Sequence, residues 1–298
     1  MHSDQQPIRI PAVLSVAALA APLALGGCDL DGGALVVGSA DFPESDLLGN
    51  IYAQALEASD VDVDTQFNIG SREIYFQQVE AGELDVFPEY NGGILFELDP
   101  EAEVGDTAET NAAVEEQLPD ELEILESAEA ENKDSLTVTE ETAAEHELTT
   151  IDDLDAVADE FTVGAPAEFE ERPQGLAGVE DSYGLEFAGF QALESSLIPA
   201  ALQDEDVQVA NLFTTDPAIL ASDFVVLEDT ADVFGAQNVT PLVNSAGIEE
   251  HEGVGETLDA VSAELTTETL VELNEQVIVE EQNPDDVAGE WLSEVGLD

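Results

Sequence analysis

Few side chains in this sequence could hold a small charged solute by a specific contact. The chain has 4 Lys and Arg residues against 70 Asp and Glu residues. The positive residues after residue 28 are Arg72, Lys133 and Arg172. Because an arginine can hold a carboxylate through two parallel hydrogen bonds, Arg72 and Arg172 are candidate contacts for a carboxylate-bearing solute, and Lys133 is a further one. The alternative for each is a structural ion pair with one of the many carboxylates.

Aromatic and hydroxyl side chains supply the other candidate contacts. Phe42 and Phe169 lie in loops that follow predicted strands, where a ring can face a cleft. The face of an aromatic ring attracts an organic cation with about 0.5–2 kcal/mol. The hydroxyls of Ser71, Thr214 and Thr215 could donate hydrogen bonds to a polar ligand. The alternative for both rings is packing in the core.

The sequence lacks the residue sets that common enzyme mechanisms require. His2, His146 and His251 are isolated, so no histidine cluster or activated nucleophile is indicated. Residues 253–255 (GVG) lack the strand and third glycine of a dinucleotide site. The acidic run 97–106 could bind calcium, but a solvated surface is the simpler interpretation. We predict that the protein is not an enzyme and has neither a metal nor a cofactor.

The net charge of −66 is the most unusual property of the sequence. Such a charge destabilises a compact chain by self-repulsion in dilute buffer, whereas in about 1 M salt the Debye length falls to about 3 Å. Acidic chains are often disordered, but 44% hydrophobic residues with clear periodicity indicate that this one folds. We therefore predict a folded protein adapted to high salt. Its few cations cannot form a basic patch, so nucleic-acid binding is disfavoured.

The N-terminal segment reads as an export signal. Arg9 precedes an apolar run that ends in Leu-Gly-Gly before Cys28, and the run is too short for a helix that spans a bilayer. Small residues before a lone cysteine resemble the lipobox of bacterial lipoproteins. We predict a signal peptide over residues 1–27, lipidation of Cys28, a tether over residues 28–33, and a protein that is anchored on the extracytoplasmic face of the membrane. The alternative is that Cys28 stays a free or buried thiol.

The apolar pattern after the tether predicts alternating strands and helices. Strands are expected near residues 34–38, 61–69 and 84–87. Helices are expected over 42–56, whose apolar residues recur at helical spacing, and through 74–79. This order is typical of a parallel α/β sheet.

The pattern restarts in the second half and ends in three helices. Further strands are predicted near 122–125, 136–138, 161–164, 187–190, 207–212, 225–227 and 241–243. Further helices are predicted over 106–118, 140–147, 176–183, 198–203, 253–265, 267–280 and 284–295. We predict that the chain enters a second lobe near Ser135 and leaves it near Gln237, through two hinge strands. Lobe 1 is then residues 34–134 and 238–298, and lobe 2 is residues 135–237. A cleft between two α/β lobes is a natural ligand site, because strand ends and helix N-termini meet there.

Three segments in the first half and five in the second are similar to one known family, in order and in spacing. The first three are residues 37–44 (VGSADFPE), 68–73 (NIGSRE) and 82–92 (GELDVFPEYNG). The others are residues 136–139 (LTVT), 164–169 (GAPAEF), 183–185 (YGL), 210–217 (ANLFTTDP) and 224–227 (FVVL). Together they resemble the glycine betaine/carnitine/choline-binding proteins of ABC importers over nearly all of the chain after residue 28.

The resemblance implies a fold, a function and two further site residues. It implies an α/β fold, the two-lobed clamshell of the type II periplasmic-binding proteins, acting as a monomer that delivers a quaternary-ammonium osmoprotectant such as glycine betaine to a permease. Tyr90 matches a cage tyrosine of the first lobe, and Phe213 lies where relatives often carry another. A quaternary ammonium cannot donate a hydrogen bond, so ring faces must hold it.

The sequence departs from the family pattern at residues 198–200 (IPA), where a further aromatic residue is expected. This departure motivates one alternative, in which the same clamshell carries another small zwitterion or an amino-acid-like solute. A second alternative is an enzyme on a similar two-lobed fold, although no catalytic set supports it. A structural role at the cell surface would leave the cleft motifs unexplained.

Overall fold

The computed structural model describes residues 33–100, 102 and 105–298. Within them the chain forms two five-stranded sheets that are flanked by helices. The strands are β1 (Leu35–Gly38), β2 (Val63–Gln66), β3 (Val86–Tyr90), β4 (Leu122–Ile124), β5 (Asp134–Thr139), β6 (Thr162–Ala165), β7 (Gly189–Ala192), β8 (Val209–Phe213), β9 (Phe224–Val226) and β10 (Val239–Asn244).

The helices alternate with the strands and then close the chain. They are α1 (Pro43–Ala58), α2 (Arg72–Glu80), α3 (Asn91–Leu98), α4 (Thr107–Gln117), α5 (Glu140–His146), α6 (Leu176–Tyr183), α7 (Ile198–Gln203), α8 (Ala218–Ala221), α9 (Ser245–Glu249), α10 (Val254–Glu264), α11 (Thr267–Asn274) and α12 (Pro284–Val295). A π-helical turn, Glu275–Val279, follows α11 directly.

Both sheets are mixed, and the parallel arrangement predicted for the first three strands is confirmed within the first sheet. The first has the order β2-β1-β3-β10-β4, and the second β7-β6-β8-β5-β9. The strands β1, β2 and β3 pair in parallel, as do β6, β7 and β8, whereas β10 and β5 run antiparallel to their neighbours. The reason is connectivity, because β5 brings the chain into the second sheet and β10 returns it to the first.

Helices cover the first sheet on both faces. Successive residues of a strand point to opposite faces, so Val86 and Val243 join a cluster with α1, α10, α11 and α12, while Phe87 and Leu242 pack with α2, α3 and α4. Two further clusters cover the two faces of the second sheet. Strands that are buried on both faces need a near-continuous apolar sequence, and such short apolar runs are what allowed these strands to be predicted.

Several predicted elements are confirmed with the same bounds, and others differ. The helices α6, α7 and α12 have the predicted ends. The predicted strand 61–69 is only Val63–Gln66, because the backbone turns with positive φ at Asn68 (57°) and Gly70 (128°). The helix α3 was missed, since it begins directly after β3 with Asn91-Gly92-Gly93, residues that are typical of a turn. The predicted helix 267–280 is α11 followed by the π turn.

The predicted signal peptide over residues 1–27, Cys28 and most of the tether lie outside the described residues. No helix in the described part of the chain is long and apolar enough to cross a membrane. The lobe boundaries near Ser135 and Gln237 stay a prediction. We use lobe 1 and lobe 2 for the parts of the chain that carry the first and the second sheet.

Candidate functional site

One cavity lies where the carboxyl ends of strands from both sheets meet. We call it the cleft cavity, and its volume is about 70 Å³. Its wall includes Phe42 after β1, Tyr90 at the end of β3, Phe169 after β6 and Phe213 at the end of β8. Strand ends in α/β sheets are the usual place for a ligand, because the loops that follow them converge.

A second space, the side cavity, adjoins the first and has a volume of about 320 Å³. Phe42 and Phe213 line both cavities, and their ring centroids are 5.4 Å apart with the planes tilted by 34°. One ring comes from lobe 1 and the other from lobe 2. Two rings with accessible faces can hold an organic cation, so the structure brings together two of the predicted contacts.

Tyr90 and Phe169 line the cleft cavity but are more deeply buried than the ring pair. Tyr90 is 7% exposed, and its hydroxyl donates to Glu44. Phe169 is 2% exposed and packs in the lobe 2 core. Burial raises the pKa of Tyr90, and the negative charge of Glu44 raises it further, so its hydroxyl stays protonated. A ligand role for these two rings stays a prediction.

Arg72 is tied to a buried glutamate. Its Nε and Nη2 atoms donate to Glu89 Oε1 and Oε2 at 2.6 and 2.9 Å. Glu89 is fully buried and also accepts from the Tyr75 hydroxyl and the Tyr90 backbone N–H, both at 2.8 Å. Burial acts to lower the pKa of Arg72, but Glu89 outweighs it and holds that pKa above its ordinary value. A Cβ at Gly93 would lie 2.2 Å from Arg72 Nη2, so the guanidinium packs directly on α3.

Arg172 forms an ion pair that crosses the cleft. Its Nε and Nη2 atoms both donate to Glu73 Oε1, at 3.2 and 3.1 Å. Arg172 follows β6 of lobe 2, whereas Glu73 lies in α2 of lobe 1. Lys133 Nζ lies 3.3 Å from Glu131. All three positive residues after residue 28 thus have a carboxylate partner, and a ligand role for either arginine stays a prediction.

The predicted hydroxyl contacts lie in different places. Ser71 directly precedes α2 and lines the cleft cavity beside Arg72. Thr215 is buried and lines the side cavity. Thr214 is exposed, and its hydroxyl accepts from the Lys133 backbone N–H at 2.9 Å. The structure therefore places only Ser71 of the three in the wall of the cleft cavity.

A buried carboxylate, Glu44, joins four parts of the chain. Its Oε1 accepts from the Tyr90 hydroxyl and, at 2.6 Å, from Asn132 Nδ2. Its Oε2 accepts from the Thr215 hydroxyl at 2.5 Å and from Asn274 Nδ2 at 2.6 Å. All four donors are neutral, so hydrogen bonds alone compensate for the burial of this charge. The network ties lobe 1, the entry to β5, the end of β8 and α11 together.

We expect Thr215→Val to lower the free energy of unfolding by about 1–3 kcal/mol, because Glu44 loses one of its four donors at a buried site. Unfolding by urea in about 2 M NaCl, followed by circular dichroism, measures this change. Thr214→Val is the matched control, and as an exposed neighbour it should change the free energy by no more than about 0.5 kcal/mol. Equal losses for the two variants would contradict the assignment.

Acidic side chains also line the cleft cavity. They are Asp41, Asp134 and Glu168, and none of the three takes part in an ion pair of the described residues. Asn211 Nδ2 donates to Asp134 Oδ1 at 2.9 Å. Burial nevertheless raises the pKa of Asp134, so this carboxylate favours a positive charge nearby.

Two amide oxygens of the same wall are buried without a hydrogen-bond donor from any described residue: Asn132 Oδ1 and Gln174 Oε1. Buried acceptors of this kind are unusual in folded proteins, and at a cavity they are suited to a ligand that donates. Among the described residues no group of three or more His, Cys, Asp and Glu side chains is placed to hold a metal ion.

Sequence reasoning missed Glu44 and the acidic and amide residues of the cavity wall. Glu44 ends the segment 37–44 that carried part of the family resemblance, and this was the only available signal for it. Nothing in the sequence distinguishes Asp134 or Gln174 from similar residues elsewhere, because one acidic residue among 70 carries no information by itself.

A comparison with protein families decides the class of the chain. Residues 33–294 match the model of a family described as the substrate-binding domain of an ABC-type glycine betaine transport system. The chain belongs to this family. The matched span includes both sheets and both cavities, so the predicted resemblance is confirmed over nearly the whole described chain.

The binding domain, by which we mean residues 29–298, is similar to curated transport proteins. It is 28% identical over 274 residues to the glycine betaine-binding protein YehZ of Escherichia coli (strain K12), which is 87% of this chain and 90% of YehZ. It is 26% identical over 166 residues to the ergothioneine transport permease/ergothioneine binding protein EgtU of Helicobacter pylori, which is 56% of this chain. The aligned part covers only 30% of EgtU. These relatives are named as solute-binding proteins and not as enzymes.

Solved structures confirm the predicted two-lobed α/β fold. A structure described as a glycine betaine/carnitine/choline ABC transporter superposes with a TM-score of 0.71 at 22% identity, covering 88% of this chain and 99% of the other. The apo form of YehZ superposes with a TM-score of 0.63 at 27% identity, covering 89% of this chain and all of the other. The binding domain therefore has the fold of the periplasmic-binding proteins.

Proposed function

We propose that the binding domain is the extracytoplasmic solute-binding component of an ABC importer for quaternary-ammonium osmoprotectants, the class to which glycine betaine belongs. The observation that carries this proposal is the tilted ring pair of Phe42 and Phe213, which faces a cavity at the strand ends of both sheets. Ring faces attract a trimethylammonium group without needing a hydrogen-bond donor from it. The name of the relative YehZ, a glycine betaine-binding protein, supports the same class of cargo.

Contacts from both lobes give the ligand a means of favouring a closed clamshell. Phe42 belongs to lobe 1 and Phe213 to lobe 2, so a cation held by both rings binds the closed state better than an open one. A ligand shifts such an equilibrium only through this difference in affinity. The closed state is then the one that delivers the solute to the permease. The ion pair between Arg172 and Glu73 adds a further contact between the lobes.

The proposal includes a location and an adaptation. Lipidation at Cys28 would hold the binding domain on the outer face of the cell membrane, as a monomer beside its permease. The net charge of −66 supports adaptation to high salt, where counterions screen the carboxylates from one another.

Isothermal titration calorimetry of residues 29–298 in about 2 M NaCl tests the cargo, with glycine betaine, proline betaine, choline and carnitine as ligands. Saturable binding of at least one of them supports the proposal. Failure of all four ligands to bind overturns the choice of cargo and favours a different small zwitterion or an amino-acid-like solute. The absence of an aromatic side chain at Pro199, in the wall of the side cavity, would then explain that result.

Replacing one ring of the pair tests the ring faces themselves. We expect Phe213→Leu to weaken binding of the quaternary ammonium by about 0.5–2 kcal/mol, a rise in Kd of roughly 2- to 30-fold, because leucine keeps apolar volume but has no ring face. Phe190→Leu is the control, since Phe190 packs on the lobe 2 core outside the walls of both cavities. An unchanged Kd for Phe213→Leu would remove this ring from the site.

A further inference from the structure

The charges that face the cleft cavity are mostly negative. Asp41, Asp134 and Glu168 line it, and no cation of the described residues pairs with them. The positive side chains in the wall are Arg72 and Arg172. A ligand carboxylate would therefore approach three carboxylates that have no ion-pair partner of their own. Like charges repel strongly at short range where water is partly excluded.

Each arginine already has a carboxylate partner that offsets its charge, so neither adds a net positive charge to the wall. Glu89 is fully buried and holds Arg72 through both of its oxygens, so release of Arg72 would leave a buried charge uncompensated. The Arg172 side chain is 23% exposed and more accessible. Its partner Glu73 lies in the other lobe, so exchanging Glu73 for a ligand would give up a contact between the lobes.

The cavity wall also contains acceptors that need a donor. Gln174 is 4% exposed and Asn132 is 3% exposed, and the amide oxygen of each is buried without a partner among the described residues. Asn132 Nδ2 donates to Glu44, which fixes the free end of this amide as the oxygen. A buried acceptor without a donor is unfavourable, and a hydroxyl group of a ligand can supply the missing proton. A ligand carboxylate has no proton to donate.

We propose that the cleft selects quaternary ammonium cations that carry a hydroxyl group and no carboxylate. Asp134 and Glu168 are the specificity-determining residues, since they attract the cation and repel a ligand carboxylate, while the amide oxygen of Gln174 or of Asn132 accepts the single proton of the hydroxyl. This proposal rests on the proposed function and narrows its cargo. It also assigns Arg72 and Arg172 to structural ion pairs and not to the ligand.

Choline and glycine betaine form a matched pair of ligands for the test, because both carry a trimethylammonium group on a short tail that ends in a hydroxyl or in a carboxylate. Calorimetry in about 2 M NaCl gives both Kd values under the same screening. We expect choline to bind at least about tenfold more tightly than glycine betaine. Equal or tighter binding of glycine betaine would overturn the selectivity and leave the proposed function standing. Binding of neither ligand would overturn this selectivity, whereas failure of all four ligands of the panel would overturn the choice of cargo in the proposed function.

Neutral variants of the two carboxylates test the cause. We expect Asp134→Asn and Glu168→Gln each to reduce the ratio of choline affinity to betaine affinity at least about threefold, because each removes one negative charge from the wall. Asp155→Asn is the control, an exposed carboxylate of lobe 2 that lines neither cavity. Thermal unfolding of each variant checks that it folds, and Glu168 lies in a single 3₁₀ turn, Ala167–Glu170, where it forms no ion pair. An unchanged ratio in both folded variants would show that these residues do not set the selectivity.

Discussion

Replacing Glu89 with glutamine is expected to lower the free energy of unfolding of the binding domain by about 3–5 kcal/mol. The substitution keeps the size of the side chain but removes the charge that compensates Arg72, whose side chain is 11% exposed. The guanidinium cannot become neutral within the pH range where the protein folds, so it stays charged in a buried site. Urea unfolding in about 2 M NaCl measures the loss without changing the ionic strength.

The second arginine provides the matched control for this experiment. Glu73→Gln removes the partner of Arg172 by the same chemical change, but Glu73 is 47% exposed. Arg172 is 23% exposed, so water can solvate its charge in part, and the expected loss is only about 0–1 kcal/mol. If the free energy of unfolding fell by the same amount in both variants, burial would not be the reason why the Arg72 ion pair stabilises the fold. A loss below about 1 kcal/mol for Glu89→Gln would contradict the prediction directly.

Transfer from about 2 M NaCl to dilute buffer is expected to lower the midpoint of thermal unfolding by at least about 10 °C. The Debye length rises from a few ångströms to about 30 Å on this change, so each carboxylate repels many others instead of its nearest neighbours. With a net charge of −66, this repulsion acts on the folded chain far more than on the expanded one. Circular dichroism during heating at the two salt concentrations gives the measurement.

A neutral solute separates screening from other effects of concentrated salt. Sucrose at high concentration favours the compact state because it is excluded from the protein surface, but it does not screen charge. We expect sucrose in dilute buffer to restore only a small part of the lost stability. Full restoration by sucrose, or the same midpoint at both salt concentrations, would show that charge screening is not the main requirement.

Much of the fold could be predicted from sequence because each signal was local. The apolar residues of α1 recur at helical spacing, and those of α6, α7 and α12 gave the observed bounds. The antiparallel direction of β5 and β10 could not be predicted in this way, because direction depends on how the chain passes between two sheets. The start of α3 directly after β3 was missed for a different reason, since its first residues, Asn91-Gly92-Gly93, are typical of a turn and weak helix formers.

In the candidate site, too, some residues could be predicted from local sequence and others could not. The rings of Phe42 and Phe213 could be identified from their segments, and the structure brings them to 5.4 Å from each other. The acidic, amide and hydrogen-bonding environment of the cavity was not predictable. Thr215 illustrates the limit, because its hydroxyl was predicted to contact a ligand and instead donates to Glu44.

The sequence by itself determined the family and the order of most strands and helices, and it predicts adaptation to high salt and the few residues able to attract a small cation. It did so because composition, periodicity and motifs belong to short stretches of chain. Only the tertiary structure decided which carboxylates pair with the two arginines. Glu89 is 17 residues from Arg72 along the chain, and Glu73 is 99 residues from Arg172. With 70 acidic residues and few cations, any carboxylate is an equally good partner until folding fixes distance and burial, and these two quantities determine the strength of a charge interaction.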